Sequence, residues 1–540
     1  MSSSTIRHRL PDSFPDYIRR CFTIDSRSLA IFRIAVALLI IADVILRSRN
    51  FYFYYTDDGV VPQDLAELYR REAFSFFFYT SDPTLIAGLF VFGVVIAIAL
   101  LIGYKTRIAT ILSFLFVISL DHHNPLVLSY ADTLFRMLLF WAIFLPLGER
   151  WSIDAIQRSR PSRPAVVSWA TAAIMIQMVY MYFVNAMNKF PSPLWHSGEA
   201  AIIVMGIDEM TFLIGNFTRN FPTLLQIGGF TWFHIMLLSP LLILLYGRAR
   251  YPQLLLFMGG HASFAITVRI GAFAYVAIAG LLIFLQPRFW RDVSILINRL
   301  GLATGIRRTR TTVYSSGKRL AALLPGRIID FPSRDTVAHV TLSVLVIIAM
   351  IGLFVLPSFA MAADGPYLDE NPIPGENPVE DFTAKFGVTQ PPWSIFAGPG
   401  PRSVDRYYVF PAQTADGDVI DIYNDRPMTY DRPGQHLQHQ HYTYRERFFM
   451  NSIRRSGSTG TAAQLYAEHL CQTWADDRGV ELTHINMYEV RERITLQTID
   501  DPDNREREIN LMSRHSCGDD GPIDIMPPDE NDLTPPAQRD

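Results

Sequence analysis

Apolar residues along the chain gather into long runs near 28–47, 84–103, 165–188, 223–246, 271–287 and 338–357. Each is long enough for a membrane span, which takes roughly 17–25 residues. Three further runs, at 108–121, 132–147 and 253–269, are shorter or interrupted, which a helix tolerates where protein neighbours surround part of it. The pattern predicts a polytopic all-α membrane bundle of about nine transmembrane helices. Past Pro357 the pattern changes to Pro, Asp, Gly and aromatic residues. Tyr407 to Phe410 and Asp418 to Tyr423 flank Ala415-Asp416-Gly417, a hairpin signal, Asn486 to Leu496 alternates like a strand, and Thr461 to Trp474 reads as a helix packed on them. A small extracytoplasmic α+β domain is therefore expected after the bundle.

The boundaries that follow are an N-terminal segment over 1–27, a bundle over 28–287, a basic loop over 288–337 and a last span over 338–357. Beyond it come a linker over 358–380, the α+β domain over 381–525 and a disordered tail over 526–540. Basic residues set the orientation. Arg19, Arg20 and Arg27, then Lys105 and Arg107, then Arg150, Arg158, Arg160 and Arg163, then Arg248 and Arg250, all fall on one side if the N-terminus is cytoplasmic. The stretch from Arg288 to Arg327 adds more, with Asp292 as its only acid. An odd number of spans then puts the C-terminal domain outside the cell membrane. Within 288–330, Trp290, Val293, Ile297 and Leu300 fall at helical spacing, which suits either a helix lying on an anionic inner leaflet or a plain cytoplasmic loop.

Composition agrees with a membrane protein: 49% hydrophobic, 13% aromatic and only 18% charged residues. The net charge of -3 averages a basic middle and an acidic end. Three cysteines exclude a disulfide scaffold. Cys471 and Cys517 are both placed outside, where a disulfide persists, although spacing does not decide whether they pair. His436, His439 and His441 lack neighbouring acids or cysteines, so no metal site is predicted. No nucleic-acid partner is expected either; the predicted partners are the lipid bilayer and an external polypeptide client.

Candidate chemistry gathers at Met181 to Gly198. Steps of three and four residues put Tyr182, Asn185 and Lys189 on one face where an apolar helix leaves the membrane. Lys189 is the only lysine between Lys105 and Lys318. It either snorkels to the interface or works as a base, because an apolar site removes the solvation of the charged form. Asp43 and Arg136 lie at matching depths in their spans, so they either form a buried pair or face a wet cavity separately. Arg33 has no partner legible in sequence.

Five ordered stretches carry a family resemblance: IDSRSLAIFRI at Ile24, YYTDDGVVP at Tyr54, SYADTLFRMLLFWAIFLPLGERWSID at Ser129, YFVNAMNKF at Tyr182 and HASFAITVRIGAFAYV at His261. Together they resemble the horizontally transferred transmembrane (HTTM) family, the superfamily that includes vitamin K-dependent gamma-carboxylase. The resemblance implies that Lys189 matches the proposed base of the carboxylases, with Trp195 following it as in that family and Pro191 and Pro193 departing from its pattern. It also implies that His261 matches a family histidine, and that a second one is replaced at Ala131 or Asp132. The implied cofactor is a reduced menaquinone or vitamin K-like quinol, whose oxygen Asn185 is placed to hydrogen-bond. In the carboxylases the quinol's reaction with oxygen provides the strong base that removes a carbon-bound proton. A quinol-dependent enzyme, a non-enzymatic maturation or assembly factor for a secreted client, and a transporter all remain open. Against the last, no paired Gly/Pro-interrupted spans mark two halves.

Overall fold

The computed structural model describes residues 13–69, 73–326, 336–358, 383–397, 400–434, 437–457 and 460–539. Of the expected features, residues 1–12 of the N-terminal segment, 327–335 of the basic loop, the linker after Ser358, His436 and Asp540 lie outside these residues.

The bundle contains α1 (Ser26–Ser48), α2 (Pro83–Ile102), α3 (Thr106–His123), α4 (Tyr130–Ala142), α5 (Trp169–Lys189), α6 (Pro222–Leu237), α7 (Tyr251–Thr267) and α8 (Phe273–Leu281). Their ends are set by local chemistry. Asp25 caps α1 by accepting from Arg27 N at 2.8 Å, and Asp82, just ahead of Pro83, accepts from the amides of Thr84 and Leu85. Ser129 with Asp132, and Ser168 with Thr171, form reciprocal capping boxes at α4 and α5. Gly103, at φ 68°, ends α2 in the left-handed conformation that glycine adopts without strain.

Among the described residues, four helices are long and apolar enough to cross a membrane: Ser26–Ser48, Pro83–Ile102, Trp169–Lys189 and Val340–Ser358. A fifth arises if Phe273–Phe284 and Pro287–Arg299, bent by 96°, make one span. The chain is thus a membrane protein with a mostly helical body. Helix α4, at 13 residues, is shorter than the usual span, and ten of the 13 are buried. It packs on α3, α5 and α8, so its apolar surface is spent on protein rather than on lipid.

The connections cluster at two opposite ends. At one, Asp154 accepts from the amides of Lys105 and Thr106, Gln157 donates to Ala321 O, Arg248 pairs with Asp292 and Trp151 meets Trp290. Here α9 (Pro287–Arg299) and α10 (Ala303–Leu323) form the basic stretch as two helices, the first with no buried residue. Buried Arg33 belongs to this end. It is held by four backbone carbonyls, those of Leu101, Leu147, Arg150 and Trp151, which sequence had no means of pairing with it.

The C-terminal domain sits on the other end, beyond α11 (Thr336–Met350). Its antiparallel sheet is built on a long strand, β5 (Leu482–Arg493). Strand β6 (Arg507–Ser516) covers one edge of β5, while β1 (Val404–Val409) and β2 (Pro411–Thr414) share the other. Beyond β2 the sheet continues through β3 (Val419–Asp421) to β4 (Arg426–Pro427). The hairpin turn falls at Thr414–Asp418 as expected, with its first arm three to four residues later than the alternation suggested. Helix α12 (Tyr444–Ser456) packs on the bundle loop at Pro125–Val127, and α13 (Thr461–Arg478) packs on β5 and β6. A Cys471–Cys517 disulfide pins α13 to the end of β6. Residues 526–539, expected to be a disordered tail, instead carry a capped helical turn at Glu530–Leu533, and Arg539 pairs with Asp431 at 2.8 Å.

Candidate functional site

Buried polar clusters occupy the end of the bundle where the domain docks. The first is built on the outer face of α5. Lys189 is 2% exposed, its Nζ donates to Asn185 Oδ1 at 2.6 Å and to Ile395 O, and it lies 4.6 Å from the centroid of the Trp195 ring. No carboxylate among the described residues pairs with it. The acceptor Ile395 belongs to residues 383–397, a strap that runs from the linker across the mouth of the bundle. Asn185 Nδ2 donates to Trp393 O at 2.5 Å and Asn188 Nδ2 to Pro392 O at 2.6 Å. Deeper in, Gln177 and Gln390 exchange hydrogen bonds, and Trp393 Nε1 donates to Gln390 Oε1 at 2.9 Å. Polar positions Gln177, Asn185, Asn188 and Lys189 of an otherwise apolar helix are therefore all spent on the strap. Trp393 is fully buried between α4 and α5, with its ring 5.7 Å from that of Tyr130.

Tyr182 shares this face but turns to another partner, donating to or accepting from His261 Nε2 at 2.7 Å. The pair is enclosed by the rings of Trp232, Phe257, Phe264 and Phe273. His261 Nδ1 has no hydrogen-bond partner among the described residues.

The second cluster corrects the expected Asp43–Arg136 pair. Asp43 binds Arg47 at 2.9 Å and Arg445 of α12 at 2.5 Å. Arg136 binds Asp121 at 2.6 Å and donates to Gly387 O of the strap at 2.8 Å. The two are joined through Arg47, which bridges Asp43, Asp121 and Asp132. Two further carboxylates, Asp121 and Asp132, and two further arginines, Arg47 and Arg445, complete the network in which they meet. Asp132 also belongs here rather than beside Lys189: it closes the α4 capping box and pairs with Arg445 at 3.0 Å. Sequence missed Arg47 because it lies at a helix end, where arginines are unremarkable, and Asp121 because it follows a short apolar run. Of the neighbouring histidines, His122 Nδ1 bonds Phe74 O and His123 lies 5.1 Å from the Phe77 ring, stacked on it.

The domain's seat on the bundle is a third cluster that sequence did not reveal. Asp405 of β1 accepts from the amides of Asp208 and Glu209, and Arg505 donates to its Oδ2 at 3.0 Å. Arg432 joins Asp208, Asp405 and Glu492. Burial, with Asp405 alongside, holds the Glu492 carboxyl above its usual range despite Arg432 and Arg507. Burial and the nearby Arg447 likewise push His441 down to about 3, so this histidine is neutral and hydrogen-bonded to Tyr423. Among the described residues no group of histidines, cysteines and acids is arranged to hold a metal ion.

A protein-family model described as the HTTM domain matches residues 22–290, which takes in α1 to α8 and the start of α9. Comparison with curated proteins and with solved structures finds no match. The matched stretch contains Lys189, Asn185, Tyr182, His261, Asp43, Asp121, Asp132 and Arg136, whereas the strap and Arg445, which complete both clusters, come from beyond it.

Proposed function

Residues 22–290 belong to the HTTM family, and from that premise we propose that the chain is a quinol-dependent membrane enzyme in which Lys189 is a base at the outer membrane face. The observation that carries the reading is a lysine buried without a counter-ion among the described residues. Burying an unpaired ammonium costs several kcal/mol, and Lys189 is offset only by two neutral acceptors and a ring face. A structural lysine has no need of that arrangement; one whose amine must take up and give up a proton does.

The residues present fit a quinol. Lys189 is an amine with no carboxylate partner among the described residues, and His261 offers an unspent ring nitrogen within a wall of aromatic rings. A bound quinol supplies the reducing equivalents. The chain's own residues hold the amine in place through Asn185, exclude water with Trp195 and Trp393, and fix the hydrogen-bond partner of the Tyr182 hydroxyl through His261. Because Pro392–Ile395 covers the amine, access to it requires the strap to lift.

We place the bundle as about nine spans, with the N-terminus cytoplasmic and the C-terminal domain outside. The separation of basic loops from the domain's docking end supports that orientation. Single cysteines at Ser315 and Ser403 test it: they should label from opposite sides of the membrane, and labelling of both from one side defeats the topology.

The chemistry is tested by oxidation of reduced menaquinone or vitamin K by purified protein in lipid with oxygen present. Lys189→Arg keeps a charge that does not deprotonate near neutral pH, so activity should fall as far as in Lys189→Ala, on the order of 10²–10⁴-fold. Wild-type protein inert in this assay, with Lys189→Arg still supporting the cell's phenotype, would instead favour the maturation-factor reading, in which the domain seated on its ion pairs is a rigid platform for a client.

A further inference from the structure

A cavity of about 510 Å³ lies between the outer half of α1 and the α7–α8 corner, with Tyr442 to Arg445 as its roof. Its size falls within the roughly 300–1,000 Å³ of small-molecule sites. Lys189 does not line it, so it is separate from the proposed quinol chemistry. The walls are amphipathic. Leu39 and Leu46 of α1 face Tyr275 of α8, and Leu46 and Tyr275 are exposed on the bundle's surface. In a membrane-embedded helix such exposure is to lipid, so the cavity is a slot open sideways to the bilayer.

The polar end of the slot is richer in hydrogen-bond donors than its own carboxylates satisfy. Asp43, Asp121 and Asp132 are matched by Arg47, Arg136 and Arg445 in the network described above. Two more lining arginines remain. Among the described residues the Arg269 guanidinium hydrogen-bonds the carbonyls of Gln438 and Tyr442 and feels Glu446 only at longer range, and Arg49 makes no ion pair. Two lining side chains also keep unspent donors: Tyr54 Oη and Arg445 Nε are buried without a partner among the described residues. What is missing is an acceptor of negative charge, at the polar end of a slot that opens to acyl chains.

We propose that this slot binds an anionic phospholipid from the leaflet on the domain's side, with the phosphate held by Arg49 and Arg269 and one acyl chain lying against Leu39, Leu46 and Tyr275. Guanidinium groups suit phosphate because their N–H groups match its oxygens in charge and geometry. The roof makes such a lipid a tether between α1, the α7–α8 corner and the C-terminal domain.

Native mass spectrometry of the full chain, delipidated and then titrated with dioleoyl phosphatidylglycerol or dioleoyl phosphatidylcholine, tests this. The anionic lipid should bind at least about fivefold more tightly, given charge-assisted bonds from two arginines. Arg49→Gln should bring the two lipids to near equality, because the Arg49 side chain makes no hydrogen bond or ion pair among the described residues. Ala42→Trp, which places bulk in the slot from a position exposed on α1, should weaken both lipids without altering the melting profile of lipid-free protein. Equal binding of the two lipids by wild type, or tight anionic binding unchanged in Ala42→Trp, overturns the proposal. Displacement of the lipid by millimolar inorganic phosphate overturns it too, by assigning the arginines to the free ion.

Discussion

Lys189 and the Asp43–Arg47–Asp121–Asp132–Arg136–Arg445 network lie at the same end of one bundle, and both are out of water, yet they treat charge in opposite ways. In the network three carboxylates meet three arginines, and each charge has at least one partner at 3.3 Å or closer. The lysine has neutral acceptors and a tryptophan ring. A matched set of charges is costly to break and performs no chemistry, since any proton moved would unpair two ions at once. An unmatched amine costs the fold something at rest, and it is the one of the two able to change protonation without dismantling its surroundings. The network also reaches into the domain through Arg445, and the lysine site does so through the strap, so both depend on residues far away in sequence.

The sharpest way to break the comparison is Asp121→Asn. It removes a carboxylate, 1% exposed, that serves Arg47 and Arg136 at once, and it should destabilise by roughly 3–5 kcal/mol. Asp43→Asn should cost clearly less, because Asp43 is 19% exposed and both its arginines keep Asp132. Thermal unfolding in lipid nanodiscs gives the order. Equal losses for the two would mean that the network does not share its charges as described.

Lys189→Met should behave unlike either. Removing the amine abolishes the cost of a buried, unpaired charge and leaves Asn185 Oδ1 and Ile395 O without their donor, at roughly 1–3 kcal/mol per orphaned acceptor. The two effects oppose each other, so stability should stay within about 1 kcal/mol of wild type while activity is lost. A loss as large as that of Asp121→Asn would make Lys189 a structural residue and remove the case for it as a base.

Much of this bundle was legible because apolar runs and capping residues are local properties. Asp25, Asp82, Ser129 and Ser168 each sit one residue before the helix they start, and the polar face of Tyr182, Asn185 and Lys189 follows from helical spacing alone. The partners on that face were not legible. Nothing in TQPPWSIFA announces that its carbonyls lie on α5 some 200 residues earlier, since backbone acceptors carry no sequence signature. Arg445 reads as one arginine among several on an amphipathic helix, although it joins Asp43 to Asp132 across more than 300 residues. Depth matching brought Asp43 and Arg136 into the same cluster and then failed, because it orders residues along the membrane normal and says nothing about which ions stand between them.

Glu149 offers the mirror image of Lys189 and the smallest effects. It is a single carboxylate, 1% exposed, surrounded by Arg158, Arg160 and Arg163. Burial alone would raise its pKa, but hydrogen bonds from Arg160 and Arg163 and the charge of Arg158 hold it at about 2. A carboxyl lowered in the folded state contributes stability that is fully present above its unfolded value of about 4.3 and is lost as pH falls through about 2. The difference in melting temperature between wild type and Glu149→Gln should therefore stay flat from pH 8 to 5 and shrink only below. A difference that changed between pH 8 and 6 would place the titration elsewhere. Because three arginines share one carboxylate, losing Arg163, whose side chain is 50% exposed, should cost no more than about 1 kcal/mol. Where Lys189 has no counter-ion to lose among the described residues, Glu149 has counter-ions to spare, and the cost of removing one arginine measures how far that excess protects the fold.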